Sequence, residues 1–164
     1  MPDKPIFDPI AFNLTDQQIE LTTLARELGQ AKFAERAFMY DREARFPTEN
    51  YTDLHAAGLF GICVPKQYGG HGADLLTYSM TAAEIGRYCG GTALTYNMHV
   101  SSTLWTGDLA DGLPMSDEDR ANHHQRRAEH YERILNGAIY AQPFSEGGAT
   151  LPAAAAPPSE NGWA

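Results

Sequence analysis

Only two of the 164 residues are cysteine, Cys63 and Cys89, and they form no metal-binding or redox spacing motif. A reduced, cytoplasmic chain is the expectation that follows. Cations are scarce as well: 12 Lys+Arg stand against 21 Asp+Glu, for a net charge of -9 and a pI near 5.0. Binding to nucleic acid or to an anionic membrane surface needs clustered cations, so those partners are excluded. Long apolar runs are missing too. The longest clean one, Leu59 to Val64, falls far short of the ~20 residues that span a bilayer. The opening Met1-Pro-Asp-Lys-Pro has no apolar run behind it, so neither a secretory signal nor membrane insertion is expected. Against these absences, hydrophobic residues make up 43% and aromatics 10% of the chain. That composition rules out a wholly disordered chain and suffices for one ordinary core.

Pro2, Pro5 and Pro9 mark residues 1–13 as an extended arm. Thr15-Asp-Gln-Gln18 fits a capping box. Leu21, Leu24, Ala25, Leu28, Ala31 and Phe38 follow at helical spacing and predict one long amphipathic helix over 15–42. Phe46-Pro47 ends that unit, because the residue before proline is pushed out of the helical region. A second helix is predicted over 48–57, closed by Gly58 as a left-handed cap. After the apolar Leu59–Val64 stretch, Pro65-Lys-Gln-Tyr-Gly-Gly70 is a turn cluster whose glycines supply positive φ. A third helix, 74–89, takes Asp74 as N-cap, and Tyr78, Ala82, Ile85 and Cys89 with Leu76, Met80 and Ala83 make it apolar on most sides. Gly90-Gly91 separates it from a fourth, 92–106, which carries Leu94, Met98, Val100, Leu104 and Trp105. Ser116-Asp-Glu-Asp119 starts a fifth, with acids at the positive end of its dipole and Arg126, Arg127 and Arg133 toward the other end. It should stop near Asn136-Gly137. Ala138-Ile-Tyr-Ala141 is the best strand candidate, and a strand without a partner reads as the opening of something incomplete.

Three groups of residues invite chemistry. The turn after Ala141, with Gly147-Gly148, is either a plain β-turn or a place where backbone N–H groups approach a ligand closely. His99, with Thr95 and Tyr96 within one turn, is either a satisfied core histidine or part of a pocket wall. His123, His124 and His130 lack the one-face spacing of metal ligands and read as a solvated face, so no metal is assigned. Cys63 and Cys89 read as small buried hydrophobes, since no nearby cation lowers their pKa.

The order Phe46-Pro47, Leu54-His-Ala-Ala-Gly58-Leu-Phe-Gly61, Val64-Pro65-Lys-Gln-Tyr68-Gly69-Gly70-His-Gly72, Glu84-Ile-Gly-Arg87 and His99-Val-Ser101 resembles the amino-terminal domain of the acyl-CoA dehydrogenase family. Tyr140-Ala-Gln-Pro143-Phe-Ser-Glu-Gly-Gly148 sits where that family carries a Thr-Glu-Pro-Gly-Ala-Gly-Ser-Asp flavin loop. The resemblance covers residues 14–164. It implies a mainly α fold: a helical domain over 14–137, then the start of a middle β domain from 138, truncated at 164.

The resemblance also implies chemistry. FAD would take a hydride from the β carbon of an acyl-CoA thioester while a carboxylate removes the α proton. Tyr140, Ala141, Gln142, Ser145, Gly147 and Gly148 would contact the cofactor, and Thr95, Tyr96 and His99 would line the acyl or substrate pocket. Two departures stand out: Ala141 replaces the threonine whose hydroxyl meets the flavin ring, and Gly147 falls where a serine is expected. In most members the base lies beyond the position where this chain ends. No catalytic residue is therefore assigned here, and the fragment is expected to be inactive alone. A flavin-dependent monooxygenase on the same scaffold, or a non-catalytic helical module, are the alternatives. The parent is expected to be a homo-oligomer.

Overall fold

Capping chemistry starts the helices where the sequence marks them. Helix α1 (Asp16–Leu28) begins at Thr15, whose hydroxyl accepts from the Gln18 amide while Gln18 Oε1 accepts from the Thr15 amide, a reciprocal box. Helix α2 (Ala34–Arg42) continues it, and α3 (Thr48–Ala56) follows Pro47. Asp74 accepts from the Thr77 amide at 2.8 Å to open α4 (Leu75–Gly86). Helix α5 (Gly90–Leu104) comes next, and Ser116 accepts from the Asp119 amide to open α6 (Asp117–Leu135). These elements belong to a computed structural model that describes residues 4–141.

Between α1 and α2 the helix widens into one π turn, Gly29–Phe33. The widening rotates the buried face. Before it the core residues are Leu21 and Ala25; after it they are Phe33 and Tyr40, while Phe38, predicted for the core, is 72% exposed. The turn begins at Gly29, where a Cβ would stand 2.1 Å from the Tyr88 ring. The close approach of α1 to the end of α4 needs the glycine, and the π turn resets the register beyond it.

Leu59, Phe60, Ile62 and Val64 are all at most 2% exposed, so this short run, a 3-10 turn over Leu59–Gly61 followed by a bend, passes through the centre of the fold. Buried backbone must find partners. The Tyr96 hydroxyl donates to the Leu59 carbonyl at 2.7 Å, and the turn after it lays its amides alongside: His71 to Gly61, Ala73 to Ile62 and Gly72 to Val64, at 2.8–3.0 Å. Gly69 (φ 93°) and Gly72 (φ 60°) supply the left-handed steps. Gly70 serves differently, because a Cβ there would meet the Val64 carbonyl oxygen at 2.1 Å.

Other expectations need correction. Leu76 is 58% exposed, since only one face of the first turn of α4 meets α1. Gly90 and Gly91 do not separate helices but form the first turn of α5. That helix buries Ala93, Tyr96 and Val100 on one face and leaves Leu94 and Met98 exposed on the other, and Trp105, just past its end, is exposed as well. Ala138–Ala141 forms no strand, because no second segment among the described residues offers it a ladder. Residues 142–164 lie outside the described part. The amino-terminal segment is fastened by the buried Glu84, which accepts from the Ile6 amide at 2.8 Å and from Arg87 at 3.0 Å.

Two glycine substitutions test this packing. Gly70→Ala should destabilise by about 2–3 kcal/mol, since only backbone movement relieves the clash. Gly90→Ala, which meets nothing within 4 Å, should be neutral or stabilise by about 0.5 kcal/mol. Urea denaturation of both variants measures the difference.

Candidate functional site

Helix α6 ends at Leu135, and Gly137 just beyond it has a φ of 95° that lets its amide and that of Ala138 return to the Ile134 and Arg133 carbonyls. His55 packs on that turn and bonds the Leu135 carbonyl at 2.9 Å. The chain is thereby turned across the side of α5. Two residues later the Tyr140 amide donates to Nδ1 of His99 at 3.2 Å. The Tyr140 ring meets His130 edge-on, with centroids 4.4 Å apart.

This path closes an apolar recess of about 220 Å³, lined by Phe46, Tyr51, Thr95, Met98, Ile139, Tyr140 and Ala141. Thr95, expected on the substrate side, and Tyr140 and Ala141, expected on the cofactor side, line this same recess. A larger open cleft of about 830 Å³ adjoins it through Phe46 and Thr95, running between the end of α2 and the start of α5. Of the expected site residues the larger cleft holds only Thr95, so the small recess is the better candidate. Among the described residues, no carboxylate lines that recess.

Tyr96 and His99 stand behind the wall. Both are 0% exposed. Tyr96 is occupied with the Leu59 carbonyl, and His99 packs against the Phe60 ring at 4.4 Å. Gln142, Ser145, Gly147 and Gly148 lie outside the described residues. Sequence reasoning missed Phe46, Tyr51, Met98 and Ile139 as recess walls. It also missed His130, which is not on a solvated face: its Nε2 is buried. The one available signal was the i, i+3 spacing of Thr95 and Met98 on one helix. The Tyr51 hydroxyl is pushed up to about 12 by burial, partly opposed by Thr95, and remains protonated. Cys63 and Cys89 are both buried thiols, not joined in a disulfide. No group of three or more His, Cys, Asp or Glu is placed to hold a metal among the described residues.

Burial, then the charge of a protonated His130, lowers His99 to about 4, against a smaller opposing effect of the Phe60 carbonyl. Burial lowers His130 as well. Neither Nε2 meets an aligned acceptor. A depressed histidine makes the native state refuse a proton that the unfolded chain takes near 6.5. The histidine contribution should therefore cost stability as pH drops from 6.5 toward 4 and level off below, where the lowered carboxylates Asp53, Asp74 and Asp111 begin to lose theirs. The shift of His99 alone corresponds to roughly 3 kcal/mol across that window. Urea midpoints between pH 6.5 and 5 should show the slope, and His99→Asn should flatten it.

The arrangement is a helical domain with an apolar recess where the chain leaves α6, the last helix among the described residues. Comparison with known proteins says which domain. Residues 15–107, more than half of the chain, match the family model described as acyl-CoA dehydrogenase, N-terminal domain. The chain belongs to the acyl-CoA dehydrogenase family. A probable acyl-CoA dehydrogenase of Bacillus subtilis is 32% identical over 90 residues, covering 55% of this chain and 24% of the relative. Cyclohex-1-ene-1-carbonyl-CoA dehydrogenase of Syntrophus aciditrophicus is 40% identical over 106 residues, 64% of this chain and 25% of that one. The solved butyryl-CoA dehydrogenase of Megasphaera elsdenii superposes with a TM-score of 0.60 at 25% identity, over 77% of this chain and 31% of its own. The matches thus span about a quarter of the length of these curated relatives.

Proposed function

We propose that this chain is the amino-terminal part of an FAD-dependent acyl-CoA dehydrogenase that introduces an α,β double bond into an acyl-CoA thioester. The observation that carries the reading is the recess itself. Thr95 and Met98 of α5 line it together with Tyr140 and Ala141, which lie at the start of what we take to be the middle β domain from residue 138. The relatives act, by their names, on acyl-CoA compounds, which supports the same substrate class.

The residues present fit the edge of a flat, largely apolar cofactor ring in part. Ala141 brings no hydroxyl, and the Tyr140 amide is already spent on His99. The Tyr140 carbonyl and the small Ala141 side chain would remain to hold it, with Gln142, Ser145, Gly147 and Gly148 proposed to complete the contacts. FAD, when bound, supplies the hydride acceptor. The chain's own part is to exclude water and to orient. Phe46, Met98 and Ile139 present hydrocarbon to the acyl chain, and the Tyr51 phenol stays neutral beside Thr95. The α proton needs a base that this recess does not provide, so we place it on residues beyond this chain and expect the fragment to be inactive alone. The parent is proposed to be a cytoplasmic homo-oligomer. No helix among the described residues is long and apolar enough to cross a membrane.

Anaerobic addition of acyl-CoA to the full-length flavoprotein should bleach the flavin. Absence of bleaching, with reduced flavin consuming oxygen in a coupled reaction, would overturn desaturation in favour of the monooxygenase alternative. Thr95→Phe should fill the recess and lower kcat/KM for acyl-CoA at least tenfold per mole of bound FAD, as steady-state kinetics and flavin absorbance would measure.

A further inference from the structure

We propose that His99 is a positioning residue: its Nδ1 captures the Tyr140 amide and so fixes the path by which the chain leaves the helical domain toward Ala141 and the residues that follow. The geometry argues this rather than a substrate contact. The His99 side chain has no exposure, so nothing in the recess reaches it. Its ring packs between Phe60 at 4.4 Å and Tyr51 at 6.2 Å. Nδ1 faces the passing backbone, 3.2 Å from the Tyr140 nitrogen.

An imidazole nitrogen that accepts an N–H must itself be unprotonated, so the tautomer is the one with hydrogen on Nε2. The alternative tautomer would oppose two N–H groups and expel the segment. His130 supports the arrangement from the other side, since its ring meets Tyr140 edge-on and closes the remaining space. Gly137 and His99 thus hold residues 138–140 at two points, a left-handed turn at one end and a hydrogen bond at the other. The groups that Tyr140 and Ala141 turn toward the recess follow from those two anchors. This role serves the flavin site only on the reading given above; the anchor itself stands without it.

The experiment uses the isotopically labelled 164-residue chain. Amide exchange at Tyr140 should accelerate at least tenfold in His99→Phe, which keeps an aromatic ring but has no acceptor, while Ile85 and Val100 keep their protection. His99→Asn, whose side-chain oxygen can accept in place of Nδ1, should restore most of the protection. The wild-type imidazole should show hydrogen on Nε2 and none on Nδ1 by nitrogen-coupled NMR, a readout that holds even where His99→Phe does not fold. Unchanged Tyr140 exchange in His99→Phe, loss shared equally by the core amides, or a wild-type ring protonated on Nδ1 would each overturn the proposal. Separately, a full-length protein that binds no flavin while Tyr140 responds as expected would overturn the flavin reading and leave the anchor in place.

Discussion

Everything in this fold is arranged around a stretch of buried backbone that is not a regular helix. Leu59 to Val64 carries apolar side chains that belong in the core, and it brings peptide groups that water can no longer reach. An unpaired buried carbonyl or amide costs about 1–3 kcal/mol. The fold answers with Tyr96 on one side and the Gly70–Ala73 turn on the other. That answer dictates much of the rest. Helix α5 must present Tyr96 inward, the turn must approach within van der Waals distance, and residue 70 can have no side chain.

Fixing the inner face of α5 also fixes what lies outside it. With Ala93, Tyr96 and Val100 committed to the core, Leu94, Met98 and Trp105 point away, and Leu109 continues the apolar surface at 64% exposed. Leu94 and Met98 lie on α5 itself, while Trp105 and Leu109 lie on the π turn Trp105–Leu109 that follows it. Met98 belongs at once to this face and to the recess. The same rotation that satisfies a central carbonyl therefore sets one wall of the candidate site.

Much of the helical layout was legible in the sequence because capping is local. Thr15, Asp74, Ser116 and Gly58 announce boundaries through hydrogen bonds and backbone angles that span three or four residues. Other features depend on contacts between distant segments. Nothing near Gly29 in the sequence tells that Tyr88 will lie against it, and the π turn that begins there, with the exposure of Phe38, could not be read from period 3.6. The site divided in the same way. Thr95 could be placed on α5 from periodicity and in the pocket from the family resemblance, but the burial of Tyr96 and His99 follows from where Leu59 and Phe60 pass. Ala138–Ala141 has a strand-like composition, yet a ladder needs a second segment, and composition does not supply one.

The contacts that settle Tyr140 come from α3, α5 and α6, all of which precede it along the chain. On the ribosome this order matters. By the time Tyr140 leaves the exit tunnel, the imidazole that receives it and the turn that aims it have already been synthesised, and helical bundles of this kind organise far faster than translation proceeds. Later residues would then be delivered onto a finished surface from a known starting point, so assembly can run in the direction of synthesis without waiting for the far end.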